Sequence, residues 1–148
     1  MASNEVRHKR SDDMSDNKTR VESIAKTLDD IAQGRAILAG GDIKTWDELT
    51  DDERRAYEEN RDIGDKDQPR DASMFDYLAD NCGIWYLLDS YKELVHGRVC
   101  MAFGGPNIYI DTDTGKVVLY WCLVRAEASM TDAAVEAVDE FLDDMYHR

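Results

Sequence analysis

The sequence predicts an α+β fold: a small antiparallel sheet of three or four strands, packed with N-terminal helices and an acidic C-terminal helix. Three features carry that expectation. Apolar residues recur at three- and four-residue spacing through about residue 80 and again after residue 131. Between residues 84 and 124 they run instead in short blocks bounded by Gly, Pro, Asn and Asp. The two patterns are segregated rather than alternating, which disfavours a doubly wound sheet. At 148 residues the chain suits one domain with one hydrophobic core. The expected organisation is a disordered tail over 1–17 and a single domain over 18–148. That domain is helical over 18–80, a sheet over 84–124 and helical again over 131–147.

The tail is polar and lacks apolar periodicity, and its Arg7-His8-Lys9-Arg10 cluster is followed at once by acids. A first helix is expected over 18–38, with Val21, Ile24, Ala25, Leu28 and Ile31 inward, Asp29 and Asp30 outward, and Gly40-Gly41 as its stop. A second helix starts at Thr45 or Thr50, since both Thr45-Trp46-Asp47-Glu48 and Thr50-Asp51-Asp52-Glu53 have capping-box form, and it runs to about Arg61. Its apolar stripe is thin: Trp46, Leu49, Ala56 and Tyr57. Residues 62–70 read as a loop. Asp71 or Ser73 then caps a short helix to about Asp80 carrying Met74, Phe75, Tyr77 and Leu78.

Strands are expected over 84–88, 95–103, 107–111 and 116–124, with Asp113-Thr114-Gly115 closing a hairpin between the last two. The final helix opens at Thr131, with Ala134, Val138, Leu142 and Met145 as its apolar stripe, flanked by Val135 and Phe141. Asp132, Glu136, Asp139, Glu140, Asp143 and Asp144 fill the rest of its surface. Asp143 and Asp144 stand at the C-terminal end, where the helix dipole disfavours negative charge.

Charge is the strongest compositional signal. The chain carries 32 acidic against 18 basic Lys and Arg residues, a net charge of −14. The first 20 residues are nearly neutral, so the body beyond them is more acidic than the whole. Such a surface repels nucleic acid and anionic membrane and attracts basic protein surfaces; its bland counterpart is acidity that only confers solubility. No apolar run reaches the length of a membrane span, and the N-terminus has no secretory h-region. Cys82, Cys100 and Cys122 are odd in number, widely spaced and set among apolar residues, so reduced core cysteines in a cytoplasmic protein are expected.

Enzyme chemistry finds little support. His8, His96 and His147 stand at no recognisable spacing from a nucleophile, and there is no phosphate-loop or dinucleotide glycine pattern. Residues 111–115, Asp-Thr-Asp-Thr-Gly, resemble the start of a calcium loop but place Gly115 fifth and Cys122 twelfth, so they read as a turn. Gly104-Gly105-Pro106-Asn107 joins two strands without a helix N-terminus or a basic neighbour and reads as a tight connection. No cofactor or metal is expected. The strand aromatics Trp85, Tyr86, Tyr109, Tyr120 and Trp121 are expected to pack against helices and across the sheet; any exposed subset would face a partner.

The run Ala102-Phe103-Gly104-Gly105-Pro106-Asn107-Ile108-Tyr109-Ile110-Asp111-Thr112, followed by Gly115-Lys116-Val117-Val118-Leu119-Tyr120-Trp121, resembles a family of small acidic proteins of bacterial plasmids, phages and integrative elements. The resemblance covers roughly residues 74–148 and leaves the N-terminal half outside it. It implies a setting of host-defence inhibition, of the anti-CRISPR or anti-restriction kind. The function expected is therefore an acidic inhibitor, not an enzyme, that presents carboxylates to a basic nucleic-acid-binding surface on a nuclease or CRISPR effector complex. The alternative is an immunity protein or antitoxin neutralising one basic toxin. The residues expected to meet the partner are Asp51, Asp52, Glu53, Glu58, Glu59 and Asp62 on the second helix, and Asp132, Glu136, Asp139, Glu140, Asp143 and Asp144 on the last.

Overall fold

A computed structural model describes the backbone of residues 2–148 and the side chains of residues 15–148. The chain is α+β, as expected, with two antiparallel sheets instead of one. Helix α1 (Ala2–Ala32) lays Val21, Ala25 and Leu28 into the main core, with Ile24 and Ile31 at its margin. Helical backbone covers the segment expected to be a disordered tail: once the packed half of a helix is nucleated, adding further turns is cheap. The Arg7-His8-Lys9-Arg10 side chains lie outside the described residues. Asp30, expected on the outer face, is buried, where it pairs with Lys26 at 2.8 Å and Arg35 at 3.1 Å.

The first helix stops six residues earlier than the apolar pattern suggested. Arg35 N–H donates to Asp30 O and Gly34 N–H to Ile31 O, the two bonds of a Schellman cap. Residues 37–44 form a hairpin, β1 (Ile37–Ala39) and β2 (Asp42–Lys44). Gly40 and Gly41, read as a helix stop, are its turn, with φ of 60° and 84°, the primed geometry that matches strand twist. Both capping boxes form. Thr45 caps a 3₁₀ turn (Trp46–Glu48), and Thr50 caps α2 (Asp51–Asn60), so the second helix begins at the later box. Buried Asn60 then fixes the following loop, donating to Asp65 O and Pro69 O and accepting from Asp65 N–H. The loop ends in β3 (Arg70–Asp71), which completes a sheet of order β2-β1-β3. Ile37, Ala39 and Leu49 make its small core with Tyr57. Helix α3 (Met74–Leu78) is capped by Ser73. Arg70 donates to both carboxylate oxygens of Asp76 at 2.8 Å, which ties the small sheet to α3.

The larger sheet is a five-stranded meander of β4 (Gly83–Leu88), β5 (Leu94–Ala102), β6 (Asn107–Asp111), β7 (Lys116–Trp121) and β8 (Val124–Ser129). The fifth strand was missed because the expected strand over 116–124 folds back at Cys122-Leu123, a two-residue turn without glycine. Cys122 holds φ at 54° there, and Leu123 is fully exposed. Gly105 is needed for close approach: a Cβ at that position would lie 2.5 Å from the Trp121 ring. One sheet face is covered by α1, α3 and α4 (Asp132–Tyr146) over a core that includes Val99, Ile108, Ile110, Val117, Leu119, Val138 and Leu142. Each such side chain contributes about 1.5–3 kcal/mol of burial. The other face is open. Cys100 is buried, but Cys82 and Cys122 are exposed, contrary to the expectation of core cysteines. Among the described residues no helix is long and apolar enough to cross a membrane.

Candidate functional site

The last helix is held at both ends. Thr131 accepts from Ala134 N–H at its N-terminus and donates to Asp29 on α1 at 2.6 Å, a bond that holds the Asp29 carboxyl below its ordinary range. At the far end Tyr146 donates its hydroxyl to Lys92 O at 3.0 Å and packs on Tyr86. Ala134, Val138, Phe141 and Leu142 are buried, Phe141 more deeply than its flanking place in the pattern suggested. Leu142 rests on Gly97, where a Cβ would come within 2.9 Å of it. With that stripe committed to the core, the acids must point outward.

The structure gathers five of those acids round one groove. Asp132, Glu136, Asp139, Glu140 and Asp143 line it together with Leu94, Val95 and Val135, between α4 and the start of β5. Asp144 is exposed and does not line it. Asp139 accepts or shares a proton with His96 Nδ1 at 3.0 Å, and its other carboxylate oxygen is buried without a hydrogen-bond partner. Asp143 meets His147 at 3.3 Å. Among the described residues, no Lys or Arg pairs with any acid of α4, and Asp132, Glu136, Glu140 and Asp144 have no ion pair at all.

The acids of α2 are disposed differently. Asp51 pairs with Arg54 at 3.7 Å, Asp52 with Arg55 at 3.9 Å and Glu58 with Arg61 at 3.6 Å. Glu53 accepts from Thr50 N–H and pairs with Lys44 at 3.2 Å, and these contacts lower its pKa in that order of importance. Glu59 and Asp62 are exposed. Much of this helix is therefore neutralised by its own bases, and Glu53 is a structural cap. No α2 residue lines the α4 groove, so the two expected acidic sets do not share it.

Sequence reasoning placed less weight on the open sheet face. There Trp85, Tyr109 and Tyr120 form a row, with ring centroids 6.1 and 6.3 Å apart. Arg98 lies over Tyr109 and Arg125 over Tyr120, at 5.3 and 5.6 Å. Trp85, Tyr120 and Trp121 remain about half exposed, so the strand aromatics pack across the sheet as expected but not all against the helices, and they leave an exposed subset of the kind expected to face a partner. Strand alternation was the signal that could have found this row. The turn after β6 uses up the Asp111 carboxylate: one oxygen accepts from Asp113 and Thr114 N–H, the other from Arg98. Compared with known protein families, with curated proteins and with solved structures, the chain matches none.

Proposed function

We propose that this protein is a binding protein that presents the α4 carboxylates to a basic, nucleic-acid-binding surface of another protein. The observation that carries the reading is that Asp132, Glu136 and Glu140, which among the described residues make no ion pair, range with Asp139 and Asp143 along one groove with an aliphatic floor. Successive acids at 132, 136, 140 and 144 recur each turn, so at a rise of about 1.5 Å per residue the charges repeat every ~6 Å. That row offers a basic site a spacing comparable to phosphates along a single strand. Charge steers the encounter, and Leu94, Val95 and Val135 supply apolar contact once the partner is seated. The resemblance of residues 102–121 to mobile-element proteins supports one class of partner: a nuclease or CRISPR effector complex of a host defence system, which the protein would inhibit. Such a partner acts in the cytoplasm, and the exposed thiols of Cys82 and Cys122 fit a reducing compartment.

Affinity capture from host lysate tests the reading. The expected result is recovery of a nucleic-acid-binding protein whose grip on nucleic acid is competed by this chain. Recovery of a small basic toxin instead would support neutralisation of that toxin. A recovered partner that binds equally well after Glu136→Gln and Glu140→Gln would remove α4 from the interface.

A further inference from the structure

The two outer edges of the five-stranded sheet are treated differently. The β8 edge is guarded. It carries Arg125 and Glu127, α1 lies along it, and Lys18 of α1 donates to the backbone carbonyl of Glu127. Charge and a covering helix are the usual means of stopping a sheet edge from recruiting another strand. The β4 edge has neither. Its sequence, Gly-Ile-Trp-Tyr-Leu-Leu, contains no charged residue and no proline, and among the described residues no strand pairs with its outer side.

The direction of its free backbone groups follows from its neighbour. Gly97 spends its N–H and C=O on Thr112, on the side away from β4. Tyr86, opposite Gly97, therefore stands at a non-hydrogen-bonded position, and its own N–H and C=O point out of the sheet. Ile84 shares that parity. So does Leu88, because Asp89 N–H donates to Glu93 O and leaves Leu88 facing outward across the bulge. Ile84, Tyr86 and Leu88 thus present a row of unused donors and acceptors.

We infer that this edge pairs antiparallel with β4 of a second copy of the chain, centred on Tyr86, joining two five-stranded sheets into one. The strand is complementary to itself in that register. Tyr86 faces Tyr86, Ile84 faces Leu88, and each such pair exchanges both backbone hydrogen bonds. Between them Trp85 of one copy lies beside Leu87 of the other on the open face, where these side chains are 54% and 45% exposed in the single chain. From Ile84 to Leu88 every cross-strand neighbour is a hydrophobic or aromatic residue. Asp89 falls opposite Gly83, at the end of the seam. A register shifted by one residue would put side chains on opposite faces, and one shifted by two would leave either Ile84 or Leu88 without a partner among the three free residues, so the register centred on Tyr86 pairs the most. Net charge opposes association, since each copy carries −14. The dimer therefore tightens as salt rises, the reverse of binding through the α4 acids.

Sedimentation velocity of the full chain between about 1 and 100 μM, in about 0.05 and 0.5 M NaCl, tests the inference. The expected mass moves from 16.9 kDa toward twice that value, at lower concentration in the higher salt. Leu87→Lys places charge in the seam, and Leu88→Pro deletes an N–H that the single chain does not use; each should shift the midpoint at least ~10-fold with the melting transition intact. If a variant also melts earlier, amide exchange of the unaltered protein decides. The Ile84, Tyr86 and Leu88 amides should slow at least ~10-fold on assembly while those of β8 do not change. A single chain at every concentration, a dimer indifferent to both substitutions, or unchanged exchange at these three amides would overturn the proposal. Glu136→Gln with Glu140→Gln should leave the dimer in place, which keeps its failure separate from failure of the α4 reading.

Discussion

Acids without cationic partners on α4 should cost the protein stability, and the cost can be worked from their spacing. The perturbation is Glu136→Gln, Glu140→Gln and Asp144→Asn together. All three sites are exposed and none makes an ion pair among the described residues. The change removes like-charge neighbours four apart at 132/136, 136/140 and 140/144, and three apart at 136/139 and 140/143. Each such pair costs about 0.2–0.5 kcal/mol, and clearing Asp144 from the negative end of the helix dipole adds about 0.3–1 kcal/mol. Helix propensity hardly changes between Glu and Gln or Asp and Asn. The expected gain is about 1.3–3.5 kcal/mol, which for a chain of this length raises Tm by roughly 3–14 °C. Thermal melts followed by circular dichroism measure it, at about 0.02 M and 0.5 M NaCl, and the gain should shrink in the higher salt as the Debye length falls to about 4 Å. An unchanged or lowered Tm at low salt would refute the reasoning. It would mean that these carboxylates support the fold, and the argument that they are kept for a partner would lose its force.

Three further outcomes are expected. Asp76→Ala should cost about 2 kcal/mol at neutral pH, because Arg70 and the Ser73 cap hold the Asp76 carboxyl at about 2, below the ordinary 3.8. A depressed folded-state value gives stability that is present above the ordinary pKa and lost as pH falls through the lower one, so urea midpoints of the two proteins should converge between about pH 4 and pH 2. Gly97→Ala should destabilise by about 1–3 kcal/mol in urea unfolding, since the new methyl would sit 2.8 Å from the Trp85 carbonyl and 2.9 Å from Leu142; a stabilised variant would show that the β4–β5–α4 contact is looser than described. Stopped-flow binding to the captured partner should show an association rate that falls steeply as the Debye length shrinks from about 14 Å to about 4 Å, with dissociation changing less. An on-rate flat in salt would reduce the charge of −14 to a solubility feature.

The sequence by itself determined the elements whose information is local. Val21, Ala25 and Leu28 mark the buried side of α1, and Ala134, Val138 and Leu142 that of α4, because a period of 3.6 residues is written in the chain. Thr50, Ser73 and Thr131 are caps that need only their next three residues. The same local information named the acids of α4 and their outward side. Tertiary structure alone decided the rest. Residues 35–38 continue an apolar pattern that suits a helix, yet Ile37–Ala39 pairs as β1 with β2 and with β3, which arrives from more than 30 residues further along to complete the sheet. The break at Cys122-Leu123 has no turn residue to announce it; it is imposed by β8 returning along β7, where Leu119 meets Ala126 over the core. The two acidic helices differ for a local reason, since α2 has Arg54, Arg55 and Arg61 three residues from its acids and α4 has no Lys or Arg in its span, but only the docking of Leu142 against Gly97 sets the α4 acids round a groove. Pairing across a distance, of strands or of the small sheet with α3 through Arg70 and Asp76, depends on which surfaces the folded chain brings together.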